Sequence, residues 1–183
     1  MSQHRREVVG ILLKDRKDLL VVAGLGSTAW DVTAAGDAPL SFPMWGAMGQ
    51  AAMTGLGLAL AQPQRRVLVI TGDGEMLMGL GALATIGVQR PANLGIVVID
   101  NERYGETGMQ ATHTASGVDL AGVAKACGLH VCAWEEIRDS AGPAFAVAKV
   151  AAEKIPLVLP PREGALLKAR FRRALLGPRA DAI

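Results

Sequence analysis

Five short runs of aliphatic and β-branched residues punctuate the chain: Leu19–Ala23, Val67–Thr71, Leu94–Ile99, Leu129–Ala133 and Ile155–Leu159. Strands that lack polar alternation are covered on both faces, and strands that alternate with helices form parallel sheets. Helical patterns fall at Arg5–Arg16, Gly46–Ala61, Met76–Val88, Asp119–Cys127, Ser140–Glu153 and Ala165–Leu176, and a short helix is expected after Gly24–Thr28. The whole predicts a doubly wound, mostly parallel α/β sheet with helices on both faces. At 183 residues there is length for one such domain, expected over residues 1–160. Pro160-Pro161 then breaks the pattern and leaves a basic C-terminal helix or tail over 161–183.

Charge and composition exclude several partners. The formal net charge is +2, and the excess of Lys and Arg lies from Arg162 onward. The folded body is therefore slightly acidic and lacks the basic face of a nucleic-acid binder. Aromatic residues make up only 4% of the chain, too few for a base-stacking platform. Cys127 and Cys132 form neither a disulfide framework nor a metal pair, as expected of a reducing, cytoplasmic setting. The uncharged stretch Ala38–Gln64 is rich in Gly and Ala and carries Gln50, Thr54, Pro43 and Pro63, so a buried helix is expected there rather than a membrane span.

In doubly wound sheets ligands bind beyond the carboxyl ends of the strands. Three segments answer to that place: Gly24–Thr28, Thr71–Glu75 and Asp100–Gly105. In the second, a strand delivers Asp73, between Gly72 and Gly74, to the start of a helix. Glycines let backbone come close to a ligand, and a helix start favours phosphate. Asp73 would repel a phosphate but can hold a Mg²⁺ that bridges to one. Gly-Asp-Gly alone also marks ordinary turns. Asn101 sharpens the reading: 26 residues lie between Gly74 and Asn101, enough for one helix and one strand. That spacing sets two hard oxygen donors on one edge of adjacent parallel strands.

These residues resemble the diphosphate-binding (PP) domain of thiamine-diphosphate-dependent enzymes, whose motif is Gly-Asp-Gly, some 25 residues, then Asn-Asn. Asn101 matches the second Asn, and Asp100 replaces the first. Met44-Trp45-Gly46-Ala47-Met48-Gly49 is similar to that family's turn into a buried helix. Within the family the likeness extends to the short β-type subunits of sulfopyruvate and phosphonopyruvate decarboxylases, through Gly81–Gly87 and through Gly108 and Gln110. Where those subunits carry a Ser-Arg-Glu-like run and a His, this chain has Ala29-Trp30-Asp31 and Gln50.

The resemblance implies a set of roles. Asp73 and Asn101 would ligate Mg²⁺ through side chains and Arg103 through its backbone carbonyl. Gly72, Gly74, Glu75, Tyr104 and Gly105 would lie against thiamine diphosphate, and the Gly46 carbonyl would accept a hydrogen bond from its 4′-amino group. Met48 would wedge the cofactor, although plain core packing suits a methionine there too. Ser27 and Thr28 would bind diphosphate oxygens, or else cap the following helix. Glu106 is a candidate proton relay or a solvated loop acid, and His113 a candidate catalytic or surface residue.

The family also needs a glutamate from a pyrimidine-binding (PYR) domain, for which this chain has no segment. The expectation is half an active site, completed by a PYR-type subunit of similar length in an α2β2 or larger assembly, acting on a small 2-oxo acid. Two alternatives stay open: a carboligase subunit resembling acetolactate synthase, and a non-catalytic nucleotide-binding module. An iron–sulfur oxidoreductase is disfavoured, because two cysteines are too few for a four-thiolate cluster.

Overall fold

The computed structural model describes residues 3–181. Its centre is a six-stranded sheet formed by β1 (Leu20–Ala23), β2 (Ser41–Pro43), β3 (Val67–Gly72), β4 (Leu94–Asp100), β7 (His130–Val131) and β8 (Ala144–Lys149). The order is β2-β1-β3-β4-β8-β7 and every pairing is parallel. A separate antiparallel pair joins β5 (Arg103–Tyr104) to β6 (Gln110–Ala111). The fold class expected from the sequence is the one observed.

Helices cover both faces. Against one face lie α1 (Arg5–Leu13) and α2 (Ser27–Ala34), whose Val8, Val9, Leu12, Ala29 and Val32 pack on Val21, Leu68, Ile70 and Val97. The opposite face takes α3 (Ala51–Ala61), α5 (Ala82–Gln89), α6 (Leu120–Ala126) and α7 (Gly164–Leu176), with Leu56, Leu83, Ile86, Ala124 and Phe171 against Val22, Val69, Ile96 and Phe145. Neighbouring residues of each strand feed opposite cores, which is why the strands are apolar throughout. Helix α3 sits so close that a Cβ on Gly55 would meet a Val69 methyl at 2.2 Å. From β8 the chain runs without regular structure to α7, and on the way the Trp45 indole N–H donates to the Pro161 carbonyl at 2.8 Å. Phe171 of α7 then meets Phe42 edge to face, with ring centroids 5.7 Å apart.

Four expectations are corrected. Ser140–Glu153 is not a helix: Ala144–Lys149 is strand β8, inserted between β4 and β7. Its period of two sends Phe145 and Val147 to one core and Ala144, Ala146 and Ala148 to the other. With β8 and β7 completing that edge, Ile155–Leu159 pairs with nothing, and Leu157, Val158 and Leu159 are exposed. The helix expected from Gly46 starts at Ala51, because Ala47 and Gly49 adopt positive φ of 56° and 88° and make a turn first. The helix expected over Met76–Val88 is two, α4 (Asp73–Met78) and α5, parted at Gly79–Gly81.

Candidate active site

The carboxyl ends of β1, β3 and β4 open on a cavity of about 340 Å³. Parallel pairing sets Gly72 opposite Ile99, so Asp73 and Asp100–Asn101 emerge side by side. Asp73, Gly74, Glu75, Gly72, Asn101, Arg103, Tyr104 and Gly105 all line the cavity, as do Ser27, Thr28, Met48 and Glu106. Gly46 and His113 do not; both are exposed, Gly46 on the turn before Met48 and His113 on a 3-10 turn.

Asp73 is 2% exposed and firmly held. The Thr112 hydroxyl donates to its Oδ2 at 2.5 Å, and the Thr114 hydroxyl lies 3.4 Å from the same oxygen. Thr114 donates to Asp100 Oδ1 at 2.9 Å, which ties the two strand ends together. Burial pushes the Asp73 carboxyl up, the neighbouring Asp100 charge adds to this, and the Thr112 and Thr114 hydrogen bonds oppose it. A divalent cation would reverse that balance by favouring the ionised form.

Asp100 has its own partners. Besides Thr114 it accepts from the Glu102 N–H at 3.0 Å and pairs with Lys149 Nζ at 2.8 Å. Lys149 is the last residue of β8, so the strand missed from the sequence supplies a cation to this buried aspartate. Asn101 Oδ1 accepts from the Arg103 N–H at 3.0 Å, which turns the chain back toward the cavity.

Gly74 lies under the Tyr104 ring, where a Cβ would come within 2.4 Å of Cε1. Glu75 is buried beneath, its Oε2 accepting from the Thr71 hydroxyl at 2.9 Å. The N–H groups of Leu25, Gly49 and Ala51 face its carboxylate, yet Oε1 closes no hydrogen bond of normal geometry. Burial raises the Glu75 carboxyl. One helical turn on, a Cβ at Gly79 would meet the Gly49 carbonyl oxygen at 2.1 Å. Helix α4 thus touches the Met48 turn at both ends.

The N-cap of α2 is Gly26, with no side-chain cap, so neither Ser27 nor Thr28 caps it. The Thr28 hydroxyl instead donates to the Gly24 carbonyl at 2.9 Å. Sequence reading missed Thr112, Thr114 and Arg5. The two threonines flank His113, and a period of two would have turned them inward and the histidine out. Arg5 opens a plain amphipathic helix and carried no signal.

A carboxylate, a side-chain amide and a nearby backbone carbonyl form a hard oxygen set suited to Mg²⁺. Among the described residues no cluster of three or more His, Cys, Asp or Glu is arranged for a metal, consistent with a set that includes only one such side chain. Gly74 leaves room for the Tyr104 ring to lie against backbone at the floor of the cavity. Fold and site together define a parallel α/β module whose main cavity opens at adjacent strand ends.

Comparison with known proteins identifies the module. Residues 26–159 match the model described as thiamine pyrophosphate enzyme, C-terminal TPP binding domain. The β subunit of sulfopyruvate decarboxylase from Methanothermobacter thermautotrophicus is 40% identical over 80% of this chain and 81% of that protein. Phosphonopyruvate decarboxylase from Streptomyces viridochromogenes is 42% identical over 71% of this chain and 33% of its own length. Benzoylformate decarboxylase from Polynucleobacter necessarius superposes with a TM-score of 0.65 at 21% identity, over 83% of this chain and 34% of that one. The chain belongs to the thiamine pyrophosphate enzyme family, in its C-terminal TPP-binding domain, and its relatives there include decarboxylases.

Proposed function

We propose that the chain is the PP-type β subunit of a heteromeric, thiamine-diphosphate- and Mg²⁺-dependent 2-oxo acid decarboxylase that forms an aldehyde and CO₂. The observation that carries the reading is the pairing of Asp73 and Asn101 at the ends of β3 and β4, on the lining of one cavity. Relatives named as β subunits support a companion α subunit. An α2β2 assembly, with the PYR-type glutamate on the companion, is part of the proposal. Gly46 then lies at the subunit boundary, which accounts for its exposure.

Asp73, Asn101 and the Arg103 carbonyl hold Mg²⁺, and Thr112 and Thr114 fix the aspartate's orientation. Ser27, Thr28, Gly72, Gly74, Glu75, Tyr104 and Gly105 line the cofactor's bed, and Met48 forms its wall. Thiamine diphosphate supplies the electron sink that a departing CO₂ requires. Glu106, at the exposed rim, is placed to hand a proton to the product side. Burial raises its carboxyl, against the pull of the Arg5 charge, and so favours the protonated form that a donor needs.

The experiment is reconstitution with the companion subunit and a panel of 2-oxo acids, reading CO₂ and aldehyde with and without Mg²⁺. Asp73→Ala is expected to abolish both cofactor binding and turnover. Activity that survives Asp73→Ala would sink the reading, and a carboligation product in place of aldehyde would move it to the synthase branch.

A further inference from the structure

Arg5 is the first residue of α1, far in sequence from the metal loop, yet its guanidinium reaches the site. The residue is 5% exposed, and it lines the cofactor cavity. A second cavity of about 330 Å³ adjoins the first, lined further out by Trp30, Met109, Glu153, Lys154, Ile155 and Leu157. Both cavities share Arg5, Ser27, Asn101, Gly105 and Glu106, so Arg5 stands at their join.

Its guanidinium is held at one nitrogen. Arg5 Nη1 donates to Asp31 Oδ2 at 2.5 Å and to the Ser27 carbonyl at 3.1 Å. Asp31 is fully buried, and its other oxygen accepts from Arg6 Nε at 3.1 Å. One carboxylate therefore bonds two guanidinium groups, while Glu153 Oε1 accepts from the Arg5 backbone N–H at 3.3 Å. A buried cation is costly unless an anion completes its neutralisation. Glu106 faces Arg5 across the join, but it sits on the exposed rim and burial disfavours its charged form. A guanidinium fork held at one nitrogen by a buried carboxylate is pre-oriented for the oxygens of a tetrahedral or planar oxyanion.

We propose that Arg5 is an oxyanion-binding residue that receives an anionic oxygen group at the join of the two cavities. The inference rests on the proposed function, where two sources carry that chemistry: the terminal phosphate of the cofactor, and an acid group at the far end of the 2-oxo acid.

The test uses the reconstituted complex and Arg5→Gln, with Asp31→Asn as a control that loosens the α1–α2 clamp but keeps the cation. Thiamine diphosphate affinity is measured by calorimetry with Mg²⁺, and kcat/KM is compared for sulfopyruvate, phosphonopyruvate and pyruvate. If the source is the cofactor, Arg5→Gln weakens thiamine diphosphate binding by roughly tenfold or more and leaves the substrate ratio alone. If it is the substrate, affinity for the cofactor holds and preference for the acid-bearing substrates over pyruvate falls by roughly tenfold or more. Asp31→Asn lowers the melting temperature and keeps both preferences. Should Arg5→Gln fail to fold, the Arg5 side-chain NMR signal of the wild-type complex is followed during addition of magnesium diphosphate or sulfopyruvate, and it is expected to move with one of them. A folded Arg5→Gln complex with affinity and substrate ratio within about twofold of wild type, or an NMR signal indifferent to both probes, overturns the inference. Wild-type protein that binds no thiamine diphosphate overturns the functional reading instead.

Discussion

The Thr112 hydroxyl donates to Asp73 Oδ2 at 2.5 Å and thereby fixes which carboxylate oxygen faces the cavity. Outer partners of metal ligands orient them and raise affinity. Thr112→Val keeps the shape and removes the donor. Its expected effect is a loss of about 10–100-fold in Mg²⁺ affinity, read by titrating Mg²⁺ at fixed thiamine diphosphate. Unchanged Mg²⁺ dependence would show that Asp73 is oriented by its backbone alone.

Gly74 and Tyr104 give a steric prediction. The Cβ of Gly74→Ala would stand 2.4 Å from Tyr104 Cε1, so the ring or the β5–β6 pair must move. Overpacking of this kind costs about 1–3 kcal/mol, and cofactor binding is expected to be lost with it. Adding Tyr104→Ala should recover the stability measured by urea unfolding. A single Gly74→Ala variant as stable as wild type would refute the packing described.

Glu106 predicts a pH dependence. Its carboxyl is raised by burial, so the protonated donor persists above the ordinary carboxylate range. Aldehyde release in wild type should fall as pH rises through that raised value. Glu106→Gln should be slower by about 10²–10⁴-fold and lack that limb of the profile. A retained limb would assign the titration to another group.

His4 predicts a second, structural dependence. Its Nδ1 lies 2.9 Å from Glu153 Oε2, and that hydrogen bond raises the imidazole above its usual value. A raised imidazole contributes its stabilisation in full below about pH 6.5 and loses it as pH climbs through the raised value. The neighbouring Ala151 amide, bonded to the Gln3 carbonyl at 2.9 Å, should therefore exchange faster on the alkaline side. His4→Gln should remove the pH dependence of that exchange beyond the intrinsic rate; an unaltered profile would show that the contact is idle.

The sheet and the loop at the end of β3 were legible because both rest on local patterns: apolar runs at strand length, and Gly-Asp-Gly at a strand end. Strand β8 was not, because its alanines and lysine favour a helix and only their tertiary place, against the open edge of β4, decides otherwise. The Gly142-Pro143 break and the alternation of Phe145, Val147 and Lys149 were the available signals. That one error displaced the next strand too, since Ile155–Leu159 then had to close an edge already filled. At the site, residues contiguous with a motif were found, whereas Arg5 and the threonines reach Asp73's neighbourhood only through the fold. Gly46 and His113 were singled out by neighbours in sequence, and the structure sets both outside the cavity.

The double hold of α4 on the Met48 turn, through Glu75 at one end and Gly79 at the other, has a consequence for assembly. Under the proposed function, the Met48 turn and the Asp73 loop would be joined into one jaw before any companion arrives. A companion subunit would close on a finished surface, so docking should be limited by encounter and orientation rather than by refolding of this half. Changes on α4 would then alter how the jaw is set, and changes on the companion only how often it shuts.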